Sequence, residues 1–394
     1  MNPCTLLVTT SGRDRPGVTA ALFAALAAHD VEVLDVEQVV IRGRLIAGLL
    51  LVLHGDPGLL RRSIGQTASA LGMEHEVVLV EEGRPVDPPE DPSLLQVIVL
   101  GRLLRPGAIG AVCQRVADAG GNINTVTLLS RVPVASLELT VSGPGPAVRE
   151  ALAMAAMASG LDIAVQPADL ARRAKRLIVL DLDATVMQGD GIAELAARAG
   201  TADEVAAIAE ATRRGEHDPA GALAARVRLL SGLPLAEVWQ ARDAIRLAPG
   251  ARRLVRTLKR LGYAVGAVSG GCTALIENLV AELDLDFAAA NVLEVADGRL
   301  SGCLTGEPMD PAGKARALRR FAAELGIPLA QTVAIGAGWQ DTELLQQAGL
   351  GIAFCTQTAM QPADGCINPP FLDAVLHVLG IPRAELETGE RRPA

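Results

Sequence analysis

Two stretches of the chain repeat one pattern of apolar and polar positions. In residues 4–82, two segments with helical spacing separate apolar or alternating runs that are typical of strands. The pattern predicts the order strand, helix, strand, strand, helix, strand. The helices are predicted at Val18–His29 and Leu59–Leu71, and the strands include Thr5–Thr10, Val31–Val40 and Leu45–Leu53.

The same pattern recurs in residues 95–166 and predicts a second unit of the same order. Its strands are predicted at Leu95–Leu100, Ile123–Leu129, Ala135–Val141 and Leu161–Val165, and its helices at Ala108–Ala119 and Pro146–Ser159. Two copies of one βαββαβ unit form an internal repeat. Such an α+β unit is a common binding scaffold, but the fold alone does not name a function.

Residues 174–385 have a different pattern, which predicts an α/β domain. Three near-continuous apolar runs in this region are typical of parallel strands that are covered on both faces. They are Arg176–Leu180, Ala264–Val268 and Thr332–Ile335, and they end at Asp181, Ser269 and Gly336. Because ligands gather outside the carboxyl ends of such strands, the three strand ends predict one site.

Composition and charge limit the classes of protein to which the chain can belong. A length of 394 residues predicts several domains, and 50% hydrophobic residues with 21% charged ones exclude a disordered chain. Aromatic residues make up 2% of the chain and the net charge is −9, so we expect no nucleic-acid partner.

The sequence predicts neither a membrane partner nor export. Its apolar runs are too short to span a bilayer, and residues 1–14 lack the basic and apolar regions of a signal peptide. The six cysteines have no CxxC spacing and are expected to be mostly buried thiols. We therefore expect a reduced, cytoplasmic protein.

Composition also predicts the domain boundaries. The segment at 84–94 holds four prolines among charged residues, which excludes a helix interior or a central strand and indicates a linker. The predicted domains are 1–83, 95–168 and 174–385, with a helix-rich and alanine-rich segment at about 191–247 and a tail at 386–394.

Asp181 and Asp183 follow the first apolar run of the α/β domain. On an extended chain their carboxylates would project to the same side and repel, unless a cation or a proton stabilises the pair. Such a pair suits metal-assisted phosphoryl transfer, in which one carboxylate attacks phosphorus and the other handles the proton of the leaving oxygen. A solvated loop explains these two residues equally well.

Other positions favour the phosphoryl-transfer interpretation. Ser269, with Gly270 and Gly271, offers a hydroxyl and approachable backbone N–H groups to phosphate oxygens, and Lys314 offers a positive charge. Asp341 lies in the loop after the last apolar run, within reach of a cation.

Two pairs of segments resemble ACT domains, which are small-molecule-sensing modules of enzymes in amino-acid metabolism. They are 11–26 with 31–38 and, more distantly, 101–112 with 119–126. The turn at Gly12–Gly17 can bring backbone N–H groups to the carboxylate of an amino-acid effector, and Asp14 can bind its ammonium group. Asp14 and Gly17 are therefore candidate effector-binding residues. A plain strand-to-helix turn, with Pro16 at the first helical position, explains the same residues without a ligand.

The last domain resembles the phosphoserine phosphatases of the haloacid dehalogenase superfamily. The resemblance is carried by residues 181–190, 247–271, 289–302 and 348–354. It implies an α/β, Rossmann-like core with a small helical cap at about 191–247, and the two preceding ACT-like domains match a long form of the family. It also implies a homodimer and Mg²⁺-dependent hydrolysis of O-phospho-L-serine through an aspartyl-phosphate, the last step of serine biosynthesis.

The resemblance implies a role for each matching position. The catalytic positions are Asp181 as nucleophile, Asp183 as general acid and base, and Lys314 as the stabilising cation. The Mg²⁺-binding positions are Asp181, the backbone carbonyl of Asp183, and Asp341. The substrate-binding positions are Asp190, Arg226, Ser269, Gly270 and Gln340.

The chain departs from the family in its last motif, where residues 336–341 are Gly-Ala-Gly-Trp-Gln-Asp instead of Gly-Asp-Gly-x-Asn-Asp. Ala337 replaces a carboxylate that binds Mg²⁺ in the family, and Arg213 and Pro219 replace an apolar pair in the cap. Two other interpretations therefore stay open. One is a catalytically impaired phosphatase that acts as an amino-acid sensor or scaffold. The other is a phosphatase for a different ester, with Arg213 contacting an extra anionic group.

Overall fold

The computed structural model describes residues 3–80, 94–169, 172, 174–355 and 363–383. The chain divides into two compact units, Met1–Asp91 and Pro92–Ala394. Residues 84–93 of the predicted linker and the predicted tail at 386–394 lie outside the described residues.

The first unit is an antiparallel sheet with two helices on one face. Its strands are β1 (Cys4–Arg13), β2 (Val31–Ile41), β3 (Arg44–Leu53) and β4 (Glu74–Val80), and its helices are α1 (Val18–Leu26) and α2 (Pro57–Ala70). The strand order is β2-β3-β1-β4. Alternate residues such as Leu6, Val8 and Leu51 point to the helices and are buried against Leu60 and Ile64.

The second unit begins with the same arrangement of elements. Its strands are β5 (Leu95–Gly101), β6 (Asn122–Ser130), β7 (Ala135–Ser142) and β8 (Asp162–Pro167), and its helices are α3 (Pro106–Asp118) and α4 (Gly145–Ser159). The predicted βαββαβ repeat is therefore confirmed, with element ends within a few residues of those predicted.

The rest of the second unit is an α/β domain built on parallel strands. Its strands are β9 (Leu177–Asp181), β10 (Ala264–Cys272), β11 (Phe287–Ala296), β12 (Arg299–Thr305), β13 (Thr332–Gly336), β14 (Gly351–Phe354) and β15 (Gly365–Ile367). Four helices follow β9, namely α5 (Gly191–Ala199), α6 (Ala202–Arg213), α7 (Pro219–Arg228) and α8 (Leu235–Ala244). The remaining helices are α9 (Ala251–Arg260), α10 (Thr273–Glu282), α11 (Pro311–Glu324), α12 (Thr342–Gln347) and α13 (Val375–Val378).

Strand β9 is central to this sheet, with β10 and β13 parallel to it on either side. All its residues are buried, as expected of a strand covered on both faces. Helices α5–α8 form the predicted cap between β9 and α9. No helix in the described part of the chain is long and apolar enough to cross a membrane.

One sheet runs through the whole second unit. Its strand order is β12-β11-β10-β9-β13-β14-β15-β8-β5-β7-β6, so the sheet of the second repeat continues into that of the α/β domain. The two parts meet where Ala164 of β8 pairs with Gly365 of β15. The sequence patterns predicted two separate domains here, and the shared sheet was not predicted.

Asp162 of β8 forms hydrogen bonds across the junction between β8 and β15. Its buried carboxylate accepts hydrogen bonds from the backbone N–H of Asn368 at 2.8 Å and from the Asn368 side-chain amide at 2.7 Å. Burial raises the pKa of Asp162, and the bonds from Asn368 oppose that rise. The contact holds the segment after β15 against the second repeat.

We expect Asp162→Ala to destabilise the second unit. The substitution leaves the two Asn368 donors without their buried acceptor, which costs about 1–3 kcal/mol. The midpoint of urea unfolding of the full chain, followed by circular dichroism, measures the change. Glu150→Ala, at an exposed position of α4 in the same repeat, is the matched control and should leave the midpoint unchanged. Equal midpoints for the two variants would contradict this account.

Candidate active site

A buried lysine joins two aspartates at the carboxyl ends of the parallel strands. Lys314 donates hydrogen bonds to Asp181 Oδ1 at 2.6 Å and to Asp341 Oδ1 at 2.7 Å. Each of the three side chains is at most 2% exposed. Asp181 ends β9, and Lys314 lies in the first turn of α11, which Asp310 caps by accepting from Gly313 N–H at 2.7 Å.

The charges in this cluster do not balance. Asp181, Asp183 and Asp341 bring three carboxylates near one ammonium group. Burial and the charge of Asp341 raise the pKa of Asp181 well above its usual value. Burial alone would lower the pKa of Lys314, but the charges of Asp181, Asp341 and Asp183 raise it overall. The site therefore has an excess of negative charge that a bound cation would relieve.

Asp183 lies in a tight turn and not on an extended strand. The turn at Leu182–Val186 follows β9 directly, and Ala184 within it has a φ of 56°, in the left-handed region. The two aspartates lie close together as expected, since the charge of Asp183 helps to raise the pKa of Asp181, but a turn and not a continuous strand connects them. The turn brings Asp183 to the site instead.

Four hydrogen bonds hold Asp183 and its surroundings. Its Oδ2 accepts from Ser269 Oγ at 2.6 Å and from Gly271 N–H at 3.2 Å, and its Oδ1 accepts from Gly191 N–H at 2.8 Å. Ser269 Oγ also accepts from Gly271 N–H at 3.0 Å. Burial and the charge of Asp190 raise the pKa of Asp183. A carboxyl group that holds its proton more readily suits a general acid.

Asn291 shapes the loop that carries Ser269, and the sequence analysis missed it. Its side-chain amide donates to the carbonyls of Gly270 and Gly271 at 2.8 and 3.1 Å. Its Oδ1 accepts from Met309 N–H at 2.8 Å. The signal in the sequence was a buried amide residue inside the apolar strand β11, where a polar side chain needs partners.

Asp190 and Arg226 connect the first turn of the cap to its third helix. Asp190 Oδ1 caps α5 by accepting from Ile192 and Ala193 N–H at 2.8 and 3.0 Å, while Oδ2 accepts from Arg226 Nη2 at 2.9 Å. Arg226 is 6% exposed, and its buried Nε has no hydrogen-bond partner among the residues that the structure describes. An orphaned guanidinium N–H indicates a place for an external acceptor.

A narrow cleft separates the cap from the core beside this arginine. The cap side includes Thr212, Pro219 and Arg226, and the core side includes Gly270, Asp310, Trp339 and Gln340. The structure thus brings together the predicted substrate-binding positions Arg226, Gly270 and Gln340 along one cleft. Asp190 contacts the cleft through Arg226, and Ser269 lies behind Gly270.

Arg213 does not reach the cleft. It pairs with Glu210, from Nε at 2.7 Å and from Nη2 at 2.6 Å, and its side chain is 56% exposed. The interpretation in which Arg213 contacts an extra anionic group of a substrate stays a prediction, and in this structure Arg213 pairs with Glu210 instead. Three-residue spacing within α6 favours the intrahelical pair over a contact in the cleft.

The donors near Asp181 fit Mg²⁺ only as a partial set. Both carboxylate oxygens of Asp341 already accept hydrogen bonds. Oδ1 accepts from Lys314, and Oδ2 accepts from the N–H groups of Ala337 and Gly338 at 3.0 and 3.1 Å. Asp181 keeps Oδ2, which takes only a long bond of 3.4 Å from Thr185. The described residues contain no cluster of three or more acidic, histidine or cysteine side chains suited to hold a metal alone. Mg²⁺ commonly uses one or two carboxylates with substrate phosphate and water, so the set suffices with those additional ligands.

The candidate effector residues lie in the first unit. Gly17 has a φ of 94° and stands at the N-cap of α1, where no side chain caps the helix. Asp14 is exposed and donates its N–H to the carbonyl of Gly43 at 2.8 Å. The predicted roles of Asp14 and Gly17 in binding an effector stay predictions.

Comparisons with known protein families agree with this architecture. The haloacid dehalogenase-like hydrolase family matches residues 178–346, and the ACT domain matches residues 4–78 and 93–166. Both resemblances stated from the sequence are therefore confirmed.

Similar proteins extend over nearly the whole chain. The phosphoserine phosphatase of Streptomyces coelicolor is 47% identical over 98% of this chain and 94% of its own. The phosphoserine phosphatase of Mycobacterium tuberculosis is 45% identical over 98% of this chain and 95% of its own. The solved structure of a probable phosphoserine phosphatase from Vibrio cholerae, in unliganded form, covers 76% of this chain and 89% of its own, with a TM-score of 0.56 and 27% identity.

We expect Lys314→Met to lower the free energy of unfolding by about 3–5 kcal/mol at pH 8, because buried carboxylates lose their cation. The loss should shrink as the pH falls, since protonation of Asp181, whose pKa is already raised, removes part of the unbalanced charge. Urea unfolding at pH 8 and pH 5.5 measures both effects. The control is Lys259→Met, which removes a partly exposed pair with Asp286 and should cost about 0–1 kcal/mol. Equal losses for the two variants at pH 8 would refute the charge argument.

Proposed function

The chain belongs to the phosphoserine phosphatases that carry two ACT domains before a haloacid dehalogenase-like catalytic domain, and we propose that it hydrolyses O-phospho-L-serine to L-serine and phosphate. Two curated phosphoserine phosphatases at 47% and 45% identity, each aligned over nearly the full chain, support this function over that of an impaired sensor.

The orphaned Nε of Arg226 is the observation that carries the choice of substrate. It is buried beside the cleft, opposite Gly270 and Gln340 on the core side. A guanidinium N–H in that place matches a substrate carboxylate, and the neighbouring Asp190 carboxylate matches an ammonium group. An amino acid phosphorylated on a short side chain presents both groups at once.

The first chemical step uses both aspartates of the first motif. Asp181 Oδ2, which Lys314 leaves open, attacks phosphorus and forms an acyl-phosphate bond. The bond between phosphorus and the serine oxygen breaks, and that oxygen takes a proton from Asp183. The raised pKa of Asp183 favours its holding this proton before the step.

The second step regenerates the enzyme. Water attacks phosphorus, Asp183 takes a proton from that water, and the bond between phosphorus and Asp181 breaks to release phosphate. Lys314 stabilises the negative charge of the transferring group in both steps, and the N–H groups of the Ser269–Gly271 loop can donate to its oxygens.

Mg²⁺ is the proposed cofactor. Asp181, through the carboxylate oxygen that does not attack phosphorus, and the carbonyl of Asp183 would hold it together with a substrate oxygen, while Asp341 acts through Lys314. Bound there, the ion would neutralise charge on the phosphoryl oxygens.

The setting of the enzyme is part of the proposal. We expect an amino-acid effector at the first ACT domain near Asp14 and Gly17, a homodimer, and a role at the end of serine biosynthesis. A cytoplasmic location is also proposed, and it agrees with six cysteines that have no CxxC spacing.

We expect Asp181→Asn to reduce kcat for O-phospho-L-serine by about 10³-fold or more, since the amide is a poor nucleophile. Phosphate release in the presence of Mg²⁺ measures the rate. Asp297→Asn is the matched control, because Asp297 is an exposed turn residue at a φ of 50° that asparagine also adopts. Wild-type activity in the Asp181→Asn protein would rule out this nucleophile, and a silent wild-type protein would rule out the proposed function.

We expect Ala337→Asp to lower the Mg²⁺ concentration needed for half-maximal activity by about 10-fold, because it adds a carboxylate ligand beside Asp181. A Mg²⁺ titration at saturating substrate gives this concentration. Ala337→Asn has nearly the same volume without the charge and serves as the control. If both variants need as much Mg²⁺ as the wild type, position 337 does not face the metal.

A further inference from the structure

Trp339 lies on the core wall of the substrate cleft. It begins the short helical turn Trp339–Asp341 and lines the cleft together with Gln340, facing Thr212 and Pro219 of the cap. A bulky residue of the core therefore shares this cleft with residues of the cap.

Hydrogen bonds fix the loop that carries Trp339. The carbonyl of Trp339 accepts from Thr342 Oγ1 at 2.9 Å, and Asp341 N–H donates to the carbonyl of Gly338 at 2.9 Å. The Asp341 carboxylate in turn binds Lys314 and the N–H groups of Ala337 and Gly338. The backbone of Trp339 therefore belongs to a loop that is tied to the catalytic cluster, which keeps its Cα beside the cleft.

The cleft has little spare room in this conformation. Its cavity is about 30 Å³, enough for only a few water molecules. Pro219 lines it on the cap side and Trp339 on the core side. A bulky residue on either wall reduces the space that is left for the alcohol part of a substrate.

We propose that Trp339 sets the size limit for the alcohol part of the substrate. The indole and Pro219 leave space between cap and core for an alcohol part of two or three carbon atoms, and they exclude larger esters. This inference rests on the proposed function, which it extends by naming the specificity-determining residue. One methylene in a tight apolar pocket is worth about 10- to 200-fold in kcat/KM, so the effect of removing an indole should be large.

The experiment compares esters of increasing size on the full-length protein. For wild type, Trp339→Phe and Trp339→Ala, kcat and KM are measured with O-phospho-L-serine, O-phospho-L-threonine and phenyl phosphate. We expect the kcat/KM ratio of phenyl phosphate to O-phospho-L-serine to rise at least about 10-fold in Trp339→Ala. Trp339→Phe should give an intermediate ratio, and the gain for the larger ester should appear mainly in KM.

Trp239→Ala is the matched control. Trp239 is 50% exposed on α8 and does not line the cleft, so its removal should leave the ratio unchanged. A wild-type ratio in both Trp339 variants overturns the size-limit proposal, even if O-phospho-L-serine is hydrolysed. Failure of the wild type on O-phospho-L-serine, together with a rise of the phenyl phosphate rate in Trp339→Ala, overturns the proposed substrate and leaves the size limit standing.

A binding measurement keeps the proposal testable if no ester is turned over. The sequence has two tryptophans, so Trp239→Phe leaves the indole of Trp339 as the reporter. We expect O-phospho-L-serine to change the fluorescence of this variant and phenyl phosphate to bind at least about 10-fold more weakly. Equal affinities for the two esters would overturn the size limit.

Discussion

The buried ammonium of Lys314 is the interaction on which the geometry of the catalytic domain depends. It joins Asp181 and Asp341, which are 133 and 27 residues away along the chain. Without it, carboxylates from separate loops would repel one another in a dry environment. Removing such groups from water costs several kcal/mol per ion, so the cluster is weak evidence for stability and better evidence for function.

The two carboxylate oxygens of Asp341 bind different groups, and this explains why the loop keeps its path with an alanine at 337. One carboxylate oxygen holds Lys314 and the other holds the backbone N–H groups of Ala337 and Gly338. Because position 337 contributes its N–H to this turn, any residue other than proline can keep the loop in place. The loss of a side-chain carboxylate at 337 therefore alters the ligands open to a cation without altering the path of the backbone. The same loop then presents Trp339 to the cleft.

Most of the fold could be predicted from the sequence because each element has a clear period. Apolar and polar residues alternate in β1 and β3 because one face of that sheet is covered. The apolar runs of β9 and β13 are continuous because both faces of their sheet are covered. Strand ends and residue chemistry predicted Asp181, Ser269 and Asp341 at one edge of the sheet. Asp190, Arg226 and Gln340 were expected only from the resemblance to the family, and Asn291 was not predicted. Long-range geometry was not predicted. No local pattern predicted that Asp183 reaches the site through a turn, or that Arg213 pairs with Glu210.

The two copies of the repeat show where sequence patterns stop being informative. Strands β4 and β8 occupy the same edge position in their sheets, yet β8 pairs with β15 of the catalytic domain. Strand β8 is buried along Asp162–Gln166, while β4 begins with the polar residues Glu74, His75 and Glu76 and stays largely exposed. Charged residues on a strand edge discourage further pairing. The charged residue of β8, Asp162, is itself hydrogen-bonded to Asn368 of the segment that joins it. The difference in polarity between two strands of the same period, and not the period itself, therefore marks the copy that became part of the catalytic sheet.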